Sequence, residues 1–359
     1  MSLDKVYRAI GMMSGTSLDG VDVALIETDG RDHIERIASD TAHYTSAERD
    51  LVRAVFGRKK PDQEVLLAEK MITDKHVFVL RNFMNNHDLD DSIDVIGFHG
   101  QTIFHDPAEG FTWQIGNAKD LAKATGIKVV SDFRKEDMAA GGQGAPLLPL
   151  YHQAFAAKLS KPVAIVNIGG VSNITWLSKD SILAFDCGPG NALIDDFMLT
   201  RKGEMFDRDG KLAAEGLIHQ DTVTGWLRNP YFTTKPPKSL DRDAWDVSEV
   251  EELSDEDGAA TLTEFTARAV HAALRHCPRK PKTFYVTGGG RRNKFLMERL
   301  RKVLDAEVEM LEEAGGNGDS MEAEGFAWFA VRSLLGLPVT VPETTGVPQP
   351  TTGGTVYKP

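Results

Sequence analysis

Ser14-Gly15-Thr16-Ser17-Leu18-Asp19-Gly20-Val21-Asp22 sets hydroxyls, glycines and carboxylates between two apolar runs. Glycines there let the backbone bend and let a ligand approach it closely. Successive N–H groups in such a turn form an anion-binding concavity, with the Thr16 and Ser17 hydroxyls as further donors. An ordinary β-hairpin loop has a similar composition. Against that simpler reading, the hydroxyls exceed what a tight turn needs, and the device recurs. Asn167-Ile168-Gly169-Gly170-Val171-Ser172-Asn173 is again strand, turn, strand, and Thr287-Gly288-Gly289-Gly290-Arg291-Arg292-Asn293 joins a strand to a helix. Consecutive glycines before a helix N-terminus let a flat or charged ligand rest on the backbone.

Other polar clusters end apolar runs that read as buried strands, the place where open α/β sheets bind ligands. His99-Gly100-Gln101-Thr102 ends the run 93–98. Ser131-Asp132-Phe133-Arg134 ends the run 127–130 and leads into Gly141-Gly142-Gln143-Gly144-Ala145-Pro146. Asp186 ends the run 182–185. Arg134 can hold an anion by paired hydrogen bonds, or form a structural ion pair with Asp132 or Asp137. His99 and His105 read as hydrogen-bonding residues of a cleft, with a core or surface role as the alternative. They have no third partner nearby, so a zinc site is not indicated. Phosphoryl transfer needs phosphates held by donors, a metal that neutralises charge and a base aimed at the nucleophile. These clusters can supply that. The chain has no G-x-x-x-x-G-K-[ST] loop, no G-x-G-x-x-G after its first strand and no G-x-S-x-G elbow.

The elements that must position these clusters alternate between strand and helix. Apolar periodicity predicts helices over 46–56, 63–86, 117–125, 147–159, 191–199, 218–227, 262–277 and 322–335, and strands over 33–39, 113–115 and 283–286 besides those above. A hairpin–strand–helix unit occurs twice, which argues for a duplicated α/β domain with a cleft between the copies. A chain of 359 residues is expected to form two domains. Their expected limits are 1–158 and 159–359, with the tail packing back on the first. A net charge of −12 disfavours nucleic acid or an anionic membrane as partner. Two cysteines, Cys187 and Cys277, indicate neither a disulfide framework nor a zinc site. Residues 1–7 lack an apolar signal core, and no apolar run is long enough to cross a bilayer, so a cytoplasmic protein is expected.

The blocks 10–22, 99–102, 132–147, 167–173, 186–191 and 287–293 resemble the anhydro-N-acetylmuramic acid kinase family, in the family's order and over residues 8–338. The Met-Ser-Gly-Thr-Ser-Leu-Asp-Gly-Val-Asp and Ala-Gly-Gly-Gln-Gly-Ala-Pro blocks are its most specific parts. The resemblance implies an α/β fold of two ribonuclease-H-like domains with an ATP cleft, the actin-like ATPase and sugar kinase fold. It implies ATP-dependent phosphorylation of 1,6-anhydro-N-acetylmuramic acid at O6 with hydrolytic opening of the anhydro bridge. The products are N-acetylmuramic acid 6-phosphate and ADP, a step in cell-wall recycling. ATP, with Mg2+ held mainly through phosphates and water, and a homodimer are implied too. By matching positions, Gly15, Thr16, Ser17, Leu18, Asp19, Gly20, Val21 and Asp22 form the first phosphate turn. Asn167, Gly169, Gly170 and Asn173 form the second, and Gly288, Gly289, Gly290 and Asn293 the adenosine side. Asp186 matches the catalytic base, and Glu322, in Glu-Ala-x-x-Phe-Ala, is a second catalytic candidate. His99, Gln101, Thr102, Arg134 and Gln143 fall on the sugar side, with Arg134 toward the lactyl carboxylate. Cys187 departs from the family's usual Thr. A kinase for another anhydro-sugar such as levoglucosan, a phosphohydrolase of the same superfold and a nucleotide-gated binding protein are the alternatives.

Overall fold

The computed structural model describes residues 5–89, 92–242 and 244–359. The segment 1–7, read above as lacking an apolar signal core, therefore lies partly outside the described residues. The chain divides into two compact units, Met1–Lys158 with Asp319–Pro359, and Leu159–Gly318. The second domain, expected to run to residue 359, thus ends at Gly318, and a whole helix as well as the tail belongs with the first.

In the first unit, β1 (Tyr7–Ser14), β2 (Gly20–Thr28) and β3 (Ile34–His43) form an antiparallel meander. β3 runs past the expected end at residue 39 because its ladder with β2 continues to Gly20 opposite His43. It is an edge strand, half-exposed and polar, so apolar alternation does not mark it. Helices α1 (Ser46–Arg53) and α2 (Gln63–Asn86) follow. Thr45 and Glu48 close a capping box on α1, and Asp62 caps α2. β4 (Val95–Asp106) pairs parallel to β1, and β5 (Phe111–Ile115) folds back on it. Next come α3 (Ala118–Thr125), β6 (Val129–Ser131) parallel to β4, α4 (Lys135–Ala139) and α5 (Pro149–Phe155). Ile10, Met12, Val23, Leu25, Phe83 and Phe98 lie in the core between sheet and helices.

The second unit repeats the plan. β7 (Val163–Ile168), β8 (Val171–Leu177) and β9 (Ile182–Pro189) form the meander. After α6 (Ala192–Lys202), α7 (Lys211–Glu215), α8 (Gln220–Trp226) and α9 (Asp255–Ala273), β10 (Thr283–Thr287) pairs parallel to β7. α10 (Lys294–Leu304) then leads to β11 (Glu307–Met310), parallel to β10. The sheet order β11-β10-β7-β8-β9 matches β6-β4-β1-β2-β3 of the first unit in sequence and direction. The duplication is therefore one of topology rather than of residues. α9 starts before the expected residue 262 because residues 255–257 form an acidic first turn: Ser254 is the N-cap, and Asp255, Glu256 and Asp257 face the positive end of the dipole.

The chain returns to the first unit with α11 (Met321–Leu335), α12 (Pro342–Thr345) and β12 (Thr355–Tyr357), which pairs with β6. α11 packs on β1, β2 and β4. Its backbone comes so close that a Cβ at Gly11 would collide with the Ala323 carbonyl and one at Gly97 with the Phe326 carbonyl. Gly97→Ala is expected to destabilise the protein by about 3 kcal/mol or more. Gly225→Ala in α8, where an added Cβ meets nothing within 4 Å, should be neutral or stabilising. Thermal denaturation of both variants checks this, and equal melting temperatures would contradict the close approach.

Candidate active site

In the second unit, strand register sets a polar row across four neighbouring strands. Asp186 on β9 pairs with Asn173 on β8, Asn173 with Asn167 on β7, and Asn167 with Thr287 on β10. Asp186 is 9 % exposed, and the Leu240 N–H donates to its Oδ2 at 2.8 Å. The turn after β7 is braced from behind. The Gly169 carbonyl accepts the Asn191 N–H at 2.7 Å, the Gly170 carbonyl accepts the Gly190 N–H at 2.9 Å, and Asn191 Nδ2 donates to the Ile168 carbonyl at 3.1 Å. The bracing leaves the outer side open. A Cβ added at Gly169, Gly170 or Gly289 would find its nearest neighbour at 3.8, 3.7 or 3.6 Å. Gly288 differs: its φ of +75° lies in the left-handed region, and a Cβ there would strike Asn167 Oδ1 and the Ile168 carbonyl. Gly290 packs on Ile168 in the same way.

Asn293 has a structural task at the start of α10. Its Oδ1 accepts the Leu296 N–H at 2.9 Å as the N-cap of α10, and the residue is buried. Asn191, which sequence reasoning passed over, stands 3.6 Å from the position of a Gly289 Cβ and so adjoins both glycine turns. Its signal was its place at the end of the Asp186–Asn191 block. Tyr231, Lys238 and Leu240 around Asp186 belong to no motif, and their types alone gave no signal.

In the first unit, the turn after β1 is held from below. Ser14 Oγ donates to Gln101 Oε1 at 2.5 Å and lies 2.8 Å from the Tyr44 hydroxyl. Gln101 is fully buried, with Nε2 donating to the Thr102 carbonyl, so it supports the turn and offers no contact to a sugar. Leu18 and Val21 are core residues that anchor the turn. Gly20 is a packing glycine, since its Cβ would meet the Ala42 carbonyl, whereas Gly15 has open space with Ser17 Oγ nearest at 3.7 Å. Thr16, Ser17 and Asp19 are exposed.

Arg134 precedes α4 and is only partly buried. Its Nε donates to His99 Nε2 at 3.1 Å and its Nη1 to the Gly144 carbonyl at 2.6 Å. His99 therefore stands behind Arg134 and is not a sugar contact: it is buried, and its Nδ1 lies 2.9 Å from the Gly100 carbonyl. Burial, with Arg134 adding to it, holds the imidazole neutral by lowering its pKa well below the usual range. Asp132 and Asp137, the expected ion-pair alternatives, are engaged otherwise. Lys135 Nζ and the Tyr357 hydroxyl each reach Asp132 at 2.8 Å. Asp137 accepts the Gly144 N–H at 2.6 Å and the Thr345 hydroxyl at 2.5 Å. The tail thus fixes the glycine loop, and the Gln143 N–H adds a bond to the Thr345 carbonyl. Thr102 Oγ1 accepts from Gln114 Nε2 at 3.2 Å.

Carboxylates gather near the first turn. Burial, with repulsion from Asp319 and Asp19 and against the Thr41 hydroxyl bond, pushes Asp22 up to about 6. Burial and the Asp22 charge push Glu322 up to about 7, with Arg134 opposing. Two residues on, Glu324 is locked by Arg36 Nε at 2.8 Å, the Tyr151 hydroxyl at 2.6 Å and Ser320 Oγ at 2.7 Å. Among the described residues no group of three or more His, Cys, Asp and Glu is placed to hold a metal ion, and no helix is long and apolar enough to cross a membrane.

The anhydro-N-acetylmuramic acid kinase family model matches residues 7–359. The chain belongs to that family. An anhydro-N-acetylmuramic acid kinase of Paramagnetospirillum magneticum is 51% identical over 98% of this chain and 99% of its own, and one of Rhizorhabdus wittichii is 48% identical over 98% and 99%. Membership makes this chain an enzyme of kinase type. Among solved structures, component A of the (R)-2-hydroxyglutaryl-CoA dehydratase of Acidaminococcus fermentans aligns with a TM-score of 0.51 at 12% identity, over 92% of this chain and 99% of that one. That likeness concerns the fold alone, and the fold is that of actin-like ATPases and sugar kinases.

The raised carboxyls bind protons more tightly folded than unfolded. They favour the folded state fully below their ordinary values of 3.8 and 4.5, and that contribution is lost as pH rises through about 6 for Asp22 and about 7 for Glu322. Glu322→Gln is expected to melt higher than the parent at about pH 8, with the gap closing toward about pH 4.5. A gap that does not change with pH would contradict the raised carboxyl.

Proposed function

We propose that the protein phosphorylates 1,6-anhydro-N-acetylmuramic acid at O6 with ATP and opens the anhydro bridge with water, giving N-acetylmuramic acid 6-phosphate and ADP. The observation that carries this is the row Asp186–Asn173–Asn167–Thr287, which sets one buried carboxylate beside open glycine turns. Such turns accept phosphates on bare backbone N–H groups. In the sugar, O6 is tied to C1 and carries no proton, so the base must serve a water. As that water attacks C1, Asp186 takes its proton and the C1–O6 bond breaks. O6 then takes the γ-phosphoryl group and ADP departs.

In the first unit Gly15 fits a phosphate, with the exposed Thr16 and Ser17 adding hydroxyl donors; in the second, Gly169, Gly170 and Gly289 fit phosphate and the adenosine side of ATP, since a Cβ at any of these glycines would meet nothing closer than 3.6 Å. Mg2+ fits beside the crowded Asp19 and Asp22, held chiefly by phosphates and water. When bound, it neutralises the charge of the transferred group. Arg134, oriented by His99, reads the lactyl carboxylate. Gln143 and Thr102 complete the sugar side, and Glu322 serves near it as the second acid–base group. An ATP-consuming step on recovered cell-wall sugar belongs in the cytoplasm. A homodimer fits the exposed apolar face of α2, where Leu67 and Phe78 are 57% and 59% exposed.

Coupled ADP release across a panel of anhydro-sugars tests the reading. ADP should appear only with the sugar. Arg134→Ala should cost roughly 2–5 kcal/mol of transition-state stabilisation, read from kcat/KM, on the muramic substrate and far less on levoglucosan, which lacks the lactyl group. Equal losses on both would make Arg134 structural. Asp186→Asn should abolish most turnover with ATP and sugar binding retained, and near-parental turnover would move the base elsewhere.

A further inference from the structure

Asp186 is gripped by a single segment of chain at three points. The Asp186 N–H donates to the Lys238 carbonyl at 3.2 Å, the Leu240 N–H donates to carboxylate Oδ2 at 2.8 Å, and the Tyr231 hydroxyl donates to the Asp186 carbonyl at 2.7 Å. The segment also closes on itself. Lys238 Nζ donates to the Tyr231 carbonyl at 2.8 Å and lies 4.2 Å from the centre of the Tyr231 ring. It lies 5.5 Å from the ring of Phe185, the residue before Asp186. Lys238 is 7% exposed, and burial lowers its pKa to about 8. Placing an amine there is costly unless it is hydrogen-bonded and faces aromatic rings, as this one does.

The foot of the segment is aromatic. Phe232 stacks on Trp245 at 5.1 Å, and Tyr231 meets Trp245 edge-on at 5.9 Å. Both Trp245 and Phe232 rest on Phe265 of α9, at 5.3 and 6.0 Å. The rings bury the foot while the backbone of residues 238–240 meets β9. None of this is needed to complete the sheet: β9 already pairs with β8 along its length.

We propose that residues 231–240 are a positioning clamp for Asp186, in which the Tyr231 hydroxyl fixes its main chain and the Leu240 N–H fixes its carboxylate. The inference rests on the reading of Asp186 as the base. Tyr231 and Leu240 are positioning residues that act through Asp186 and touch no substrate.

The test is steady-state kinetics of the full chain carrying Tyr231→Phe or Leu240→Pro, each alone and combined with Asp186→Asn. Tyr231→Phe keeps the ring stack and removes only the hydroxyl, and Leu240→Pro removes the N–H together with the leucine side chain and some backbone freedom, so Tyr231→Phe is the cleaner variant. Each alone should lower kcat about three- to tenfold, with KM for ATP and sugar unchanged. Neither should lower the residual rate of Asp186→Asn. A parental kcat in folded Tyr231→Phe, or an equal fold-loss in the Asp186→Asn background, would overturn the clamp while leaving the base in place. Near-parental turnover by Asp186→Asn alone would overturn the base and the clamp with it. Should Leu240→Pro not fold, Tyr231→Phe decides by the same two readouts.

Discussion

The hydrogen-bonded register of the two meanders is the constraint on which the placing of polar side chains in each unit depends. Side chains alternate faces along a strand, so a slip of one residue between β8 and β9 would turn Asp186 away from Asn173. The first unit keeps the same register plan with other residues. Asp22 stands where Asn173 does, paired with Met13 on one side and Thr41 on the other. The carboxylate therefore sits on the second strand of one meander and the third strand of the other. A duplicated backbone thus carries its carboxylates at unlike positions.

Glycine does two distinct jobs in this structure. At Gly15, Gly169, Gly170 and Gly289 the absent side chain leaves room over the backbone. At Gly11, Gly20, Gly97, Gly288 and Gly290 it lets another part of the protein take that room. The second set shapes the sites as much as the first. Gly11 and Gly97 let α11 lie on the sheet, and α11 carries Glu322 into the company of Asp22 and Arg134. The neighbouring Glu324, tied to Arg36, Tyr151 and Ser320, fixes where that helix begins.

The fold was legible because both hairpins and the strand-end clusters carry strong local signals: alternating apolar residues, then glycines and short polar side chains. What the sequence could not separate is a polar residue that faces a ligand from one that holds the residue facing it. Gln101, His99 and Asn293 have the chemistry of contacts, yet each is engaged by a protein partner: Ser14, Arg134 and the first turn of α10. Such pairings join positions far apart in the chain, and periodicity carries no record of them. The same holds for the boundary at Gly318, since α11 has a helical pattern that says nothing of which sheet it will cover. The Leu240 contact to Asp186 is made by a backbone N–H, which leaves no trace in residue type.

In the proposed reaction the water served by Asp186 ends on carbon and not on phosphorus. Turnover of ATP and 1,6-anhydro-N-acetylmuramic acid in ¹⁸O-labelled water, with mass spectrometry of the product, measures this directly. The label should be found on C1 of N-acetylmuramic acid 6-phosphate at the moment of turnover, with none in the phosphoryl group. Label in the phosphoryl group, or in free phosphate released without sugar, would place the attack of water on phosphorus and rule out the proposed reaction.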